Sequence, residues 1–138
     1  MEIMIDLNII LDCMQKREHF FEESKEILDY CAKRRIKGYI SVNCASTLYY
    51  LLHKELHNKK KTYEVMSHLF SIVSPTPVLG ADALDALKHT SKDYEDCLMA
   101  LSCRWLNIDG IVTRNKDDFD GFGIKTYTPS ELISMLNS

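Results

Sequence analysis

Ile3-Met4-Ile5-Asp6 opens the chain with three apolar residues followed at once by a carboxylate. A run this short and apolar predicts a buried strand, and a charge set directly behind a buried strand is rarely wasted. Further along, Tyr39-Ile40 runs into Ser41, and Ile72-Val73 precedes Pro75-x-Pro77. Gly110-Ile111-Val112-Thr113 leads into a polar loop, and Ile124-Lys125-Thr126-Tyr127 precedes Pro129. The two prolines at 75 and 77 are expected to break regular structure.

Helical periodicity fills the intervals. A first helix is predicted over about 19–35, with Phe20, Ile27, Leu28 and Cys31 on one face. It closes in Lys33-Arg34-Arg35, cations suited to a helix C-terminus, and Gly38 is placed to end it. Others are predicted over about 43–57, 60–71, 82–89 and 93–106, the last with Leu98, Leu101 and Trp105 in the core. A terminal helix opens with Pro129 at its favoured first position. Short apolar strands alternating with helices call for a parallel sheet covered on both faces. The expected fold is a three-layer α/β/α sandwich formed by residues 1–138 as one domain.

Composition narrows the function classes. Hydrophobic residues make up 46% and charged residues 27%, ordinary for a globular protein. No run reaches the roughly 20 apolar residues of a membrane-spanning helix, and the first residues lack the pattern of a signal peptide. The chain reads as soluble and cytoplasmic. Five cysteines without a CxxC pair argue against a disulfide framework or a zinc ribbon. A net charge of −3 excludes a uniformly basic surface for polyanions, though not a local basic patch.

In open parallel sheets ligands gather outside the carboxyl ends of the strands. Asp6 and Asn8 follow the first strand, Ser41 the second, and Thr113-Arg114-Asn115-Lys116-Asp117-Asp118 the fourth. The long late helix begins with Asp93 and Asp96, three residues apart and so on one face. If that helix starts at the same sheet edge, Asp6, Asp93, Asp96 and one of Asp117 or Asp118 converge. Crowded carboxylates repel, and protons or a cation must neutralise them. Hard oxygen donors suit Mg²⁺ or Mn²⁺, which activate water for attack on a phosphate. The plainer alternatives are a helix cap at Asp93 and a solvated turn at Asp117-Asp118.

The blocks Met4 to Asp12, Ile40-Ser41 with Leu48 to Leu52, Asp93 to Ala100 and Ile111 to Phe119 resemble, in this order, the PIN domains. The likeness is closest to the VapC-like toxin ribonucleases of bacteria. That resemblance implies metal-dependent endoribonuclease activity leaving a 5′ phosphate, with RNA as substrate, an antitoxin as partner and a homodimer as assembly. By it, Asp6, Asp96 and Asp118 hold Mg²⁺ or Mn²⁺ and carry catalysis. Asp93 is either an auxiliary metal-binding acid or a cap. Asn8, Ser41, Thr47, Thr113 and Asn115 form the supporting polar shell, and Asn115 stands where some relatives carry the fourth acid. Arg114 is expected to grip the RNA backbone.

Thr47 departs from the family pattern, because relatives carry a glutamate there. Glu55, the next acid on that helix, lies about 12 Å further along. Weaker metal binding, or reliance on one metal, is therefore expected, and Thr47→Glu should strengthen binding. The alternative function is a degenerate PIN-like domain that binds RNA or a protein without cutting.

Other motifs carry less. His53-Lys54-Glu55-Leu56-His57 has two histidines at i and i+4 but lysine where a zinc protease needs glutamate. Cys13 has no histidine neighbour to activate it. Lys59-Lys60-Lys61 and Lys33-Arg34-Arg35 read as solvated helix ends, and one ring of Tyr49-Tyr50 as core. A phosphoacceptor receiver would want paired acids after the first strand, where Asp6 stands alone.

Overall fold

Ile3, Met4 and Ile5 are all fully buried. Successive strand side chains point to opposite faces, so a strand buried at every position has helices on both sides. This strand, β1 (Glu2–Ile5), is the centre of a five-stranded, all-parallel sheet in a computed structural model describing residues 1–138. The others are β2 (Lys37–Ser41), β3 (Val73–Thr76), β4 (Gly110–Val112) and β5 (Thr126–Tyr127). They lie in the order β3-β2-β1-β4-β5. From β1 the chain winds outward through β2 and β3, then returns to β1's other side for β4. The reversal between β1 and β4 is the switch point where such sheets place ligands.

Seven α-helices connect the strands: α1 (Leu7–Met14), α2 (Phe21–Ala32), α3 (Val42–Leu56), α4 (Lys59–Phe70), α5 (Gly80–Asp85), α6 (Tyr94–Leu106) and α7 (Pro129–Leu136). Short 3₁₀ turns occupy Ala86–Lys88 and Lys116–Phe119. Their starts follow from local chemistry. Asn58 and Asp93 cap α4 and α6 through their side chains, and Thr128 with Glu131 closes a capping box around Pro129. His57 and Asn107 end α3 and α6 in the left-handed conformation. The α/β/α architecture expected from the sequence is present.

Five local expectations are corrected. Helix α1 was not anticipated, because Leu7, Ile9, Ile10 and Leu11 are all buried and give the segment no polar face to reveal its period. Helix α2 stops at Ala32, before the basic run, and Arg34 turns left-handed. Gly38 ends no helix. It lies inside β2, where an added Cβ would sit 2.5 Å from Cys31 Sγ, so its missing side chain lets α2 pack close. Pro75 does not break β3, an edge strand where one absent N–H costs little. Trp105 is 39% exposed, its indole N–H donating to Asp82 Oδ2 at 2.9 Å rather than sitting in the core.

All five cysteines are free and four are buried, as expected for reduced thiols packed as apolar groups. Tyr49 stacks on His53 and Tyr63, while Tyr50 is exposed.

One buried polar network fixes α1 against the loop after β4. Asp12, fully buried, accepts from Arg114 Nε at 2.9 Å, Arg114 Nη2 at 3.1 Å and Ser24 Oγ at 2.9 Å. Arg17 adds an ion pair at 3.5 Å, and the Arg114 guanidinium lies over the Phe20 ring at 3.9 Å. Removing one partner of a buried ion pair strands the others. Asp12→Ala should therefore cost about 3 kcal/mol in urea unfolding, the low end of the usual range because Arg114 remains 26% exposed. A loss below about 1 kcal/mol would mean the network holds nothing in place.

Candidate metal centre at the sheet switch point

Asp6 leaves β1 at the edge where β1 and β4 run side by side, Ile5 opposite Val112. It is 6% exposed and is the N-cap of α1. Its Oδ2 accepts from the Thr113 hydroxyl at 2.8 Å, and Thr113 Oγ1 accepts in turn from the Asn115 amide at 3.0 Å. Burial raises the Asp6 pKa. Thr113 and the nearby amides of Leu7 and Asn8 pull it down by less, and Asp118 adds repulsion.

Asp96 comes from the first turn of α6, where its amide donates to the Asp93 cap at 3.1 Å. Its pKa is pushed up to about 7, first by burial and then by the charges of Asp6, Asp93, Asp118 and Glu95. Asp118 sits half-buried on the 3₁₀ turn after β4. The fold thus brings Asp6, Asp93, Asp96 and Asp118 within electrostatic reach of one another. None of them forms an ion pair with a lysine or arginine (the ion pairs use Asp12, Asp29, Asp85 and Glu131).

Ser41, at the end of β2 and the cap position of α3, is fully buried with its Oγ unpartnered. Asn43 Oδ1 is also buried without a partner. Asn8 is exposed and accepts from Arg17 Nη1 at 3.2 Å. Asn115 contributes its backbone amide, its side chain being exposed. Arg114 is an ion-paired cation: Nε and Nη2, two of its three guanidinium nitrogens, donate to Asp12. The guanidinium expected to grip a phosphate backbone thus has most of its hydrogen-bonding capacity directed at Asp12.

Glu95 is the residue that sequence reasoning passed over. It lies one position before Asp96, about 100° round the helix, and so reads as belonging to another face. Its Oε2 accepts from Thr47 Oγ1 at 2.6 Å, and Cys44 Sγ approaches Oε1 at 3.8 Å. Burial raises the Cys44 pKa, the neighbouring Ser41 hydroxyl opposes it by less, and Glu95, Asp6 and Asp96 add to the rise, so this thiol stays a neutral donor. A missing charge at 47 and a spare acid in the first turn of α6 were the available signals.

The donors gathered here are carboxylate and hydroxyl oxygens, a set that suits Mg²⁺ or Mn²⁺. An unpartnered buried hydroxyl at Ser41 fits the same use. No three acidic, histidine or cysteine side chains are drawn close enough to form a finished cage. An apolar groove of about 510 Å³ lies elsewhere, beside Met14, Leu28, Val65 and Leu69, and contains none of these acids.

The sequence matches the PIN domain family over residues 2–117, and the chain belongs to that family. Among curated proteins none matches significantly. Solved structures share the fold at low identity. A toxin–antitoxin complex from Klebsiella pneumoniae is 17% identical, with a TM-score of 0.66 over 92% of this chain and 97% of that one. FitAcB from Neisseria gonorrhoeae is 18% identical, with a TM-score of 0.64 over 93% and 98%. VapBC-1 from nontypeable Haemophilus influenzae is 16% identical, with a TM-score of 0.69 over 94% and 99%.

The Asp96 shift makes metal-free stability depend on pH. The folded chain holds this proton up to about pH 7, the unfolded chain only to the ordinary value of 3.8. Between these values the folded state binds more protons, so stability falls as pH rises through the window and levels off above it. Asp6, also raised, acts with the same sign. Melting in chelator from pH 5 to 8 should show this decline, and Asp96→Asn should flatten it. An equal slope in the variant would refute the assignment.

Proposed function

We propose that this PIN domain, residues 1–138, is a divalent-metal-dependent endoribonuclease acting in the cytoplasm as the toxin of a toxin–antitoxin pair. The observation that carries the reading is the meeting of Asp6 with Thr113 across β1 and β4, with Asp96 and Asp118 close enough to repel Asp6. Asp6, Asp96 and Asp118 would hold Mg²⁺ or Mn²⁺, with Asp93 helping. When bound, such a cation activates water and steadies charge on a phosphate. Thr113 fixes one Asp6 oxygen, and Ser41 offers a hydroxyl at the same edge. Asn8 and Asn115 border the site from the α1 and β4 sides. Thr47 enters through Glu95 rather than directly.

Family membership supports nuclease chemistry, and the toxin–antitoxin complexes among the structural neighbours support an antitoxin partner. A homodimer is proposed on the same footing. No helix is long and apolar enough to cross a membrane. The absence of a finished acid cage favours one other reading, a domain that binds RNA or a protein without cutting.

Purified protein incubated with total transfer RNA and Mn²⁺ separates the two. Cleavage that disappears in Asp6→Asn, by a factor of about 10² or more, is expected of the nuclease. Retention of RNA without turnover under Mg²⁺ and Mn²⁺ would favour the binding domain. Equal cleavage by both proteins would remove the proposed site.

A further inference from the structure

The 2.6 Å contact between Thr47 and Glu95 bears on the departure noted at position 47. Thr47 lies one and a half turns into α3, and its hydroxyl points at a carboxylate delivered from α6. A glutamate at 47 would extend through the place that hydroxyl occupies, into the space the Glu95 carboxylate fills. The hydroxyl on α3 thus meets a carboxylate carried by the opposite helix.

We infer that Glu95 is a metal-site acid of this chain, standing in through α6 for the carboxylate that Thr47 does not provide. The inference rests on the metal site proposed above. Three observations support it independently of spacing. Glu95 is held by α3 at three points: Asn43 Nδ2 donates to its backbone carbonyl at 3.3 Å, Thr47 to Oε2, and Cys44 to Oε1. All its side-chain partners are neutral donors, so its charge is oriented but not cancelled. At the head of the same helix, the buried Ser41 hydroxyl lacks a partner. A carboxylate meant only to tie α3 to α6 would do as well facing a lysine or arginine, and none pairs with it.

The assignment changes the expectation for Thr47→Glu. Alone, that substitution sets a second carboxylate against Glu95, and repulsion offsets what it adds. Exchanging the two residues, Thr47→Glu with Glu95→Thr, rebuilds the same acid–hydroxyl pair in the opposite sense.

The test is Mn²⁺ binding by calorimetry on the full chain, with melting in chelator as a check on folding. The expected result is a loss of affinity of about tenfold or more in Glu95→Gln, with the melting temperature little changed. The exchanged double variant should recover to within about threefold of the original protein. Wild-type affinity in Glu95→Gln, with binding lost in Asp6→Asn, would make Glu95 a helix tie and leave the three-acid site standing. If Glu95→Gln does not fold, Glu95→Asp decides: folded with affinity lowered about tenfold supports the assignment, folded with the original affinity overturns it. Equal binding by the original protein and Asp6→Asn, or none by the original protein, would bring down the site and this assignment together.

Discussion

A carboxylate removed from water must be compensated, and this chain buries two on neighbouring stretches and treats them in opposite ways. Asp12 receives a bidentate arginine, a second arginine and a serine hydroxyl. Asp6 receives a threonine hydroxyl and the nearby amides of Leu7 and Asn8 but no cation, and Asp118 repels it. The first arrangement is closed and fixes structure. The second leaves the carboxylate without a cationic partner in the chain, an environment of the kind that clusters at functional sites. The contrast is sharper because the donors are adjacent: Thr113 serves Asp6, and Arg114 serves Asp12.

Those two ties explain how a small sheet holds its site. Thr113 and Arg114 follow β4 directly, and Asp6 and Asp12 begin and nearly end the first turns after β1. Strand pairing sets the approach of the two segments, with Met4 opposite Ile111 and Ile5 opposite Val112. The Asp12 ion pair then fixes where the loop beyond β4 departs, and with it the 3₁₀ turn bearing Asp118. Arg114 therefore serves the acids through the scaffold. Its charge is paired with Asp12, six residues away from Asp6.

Much of this was legible in the sequence because strand–helix alternation survives short element lengths. Ile3-Met4-Ile5-Asp6 and Ile111-Val112-Thr113 declare buried strands with polar ends, and parallel sheets bring such ends together. What escaped reading depended on neighbours. Helix α1 hides its period by being buried almost all round, and Pro75 enters a strand because β3 happens to be an edge. Gly38 reads as a helix stop until Cys31 is seen pressing on it. Glu95 was the deeper omission. Spacing along one helix ranks Asp93 and Asp96 together, yet the partner that gives Glu95 its place lies 48 residues earlier on α3.

Repulsion among the acids has to be survivable for the chain to fold before any cation arrives. The start of α6 supplies part of the answer. Asp93, Glu95 and Asp96 all sit at its N-terminal end, where unpaired amides and the helix dipole favour negative charge. Asp93 accepts from the Asp96 amide while repelling the Asp96 carboxyl, so the same side chain caps the helix and raises its neighbour's pKa. Of the two readings of Asp93, the cap is the one the α6 geometry displays. A proton on Asp96 can relieve the remaining repulsion in the metal-free chain. Were a divalent cation held by Asp6, Asp96 and Asp118, its binding would compete with that proton.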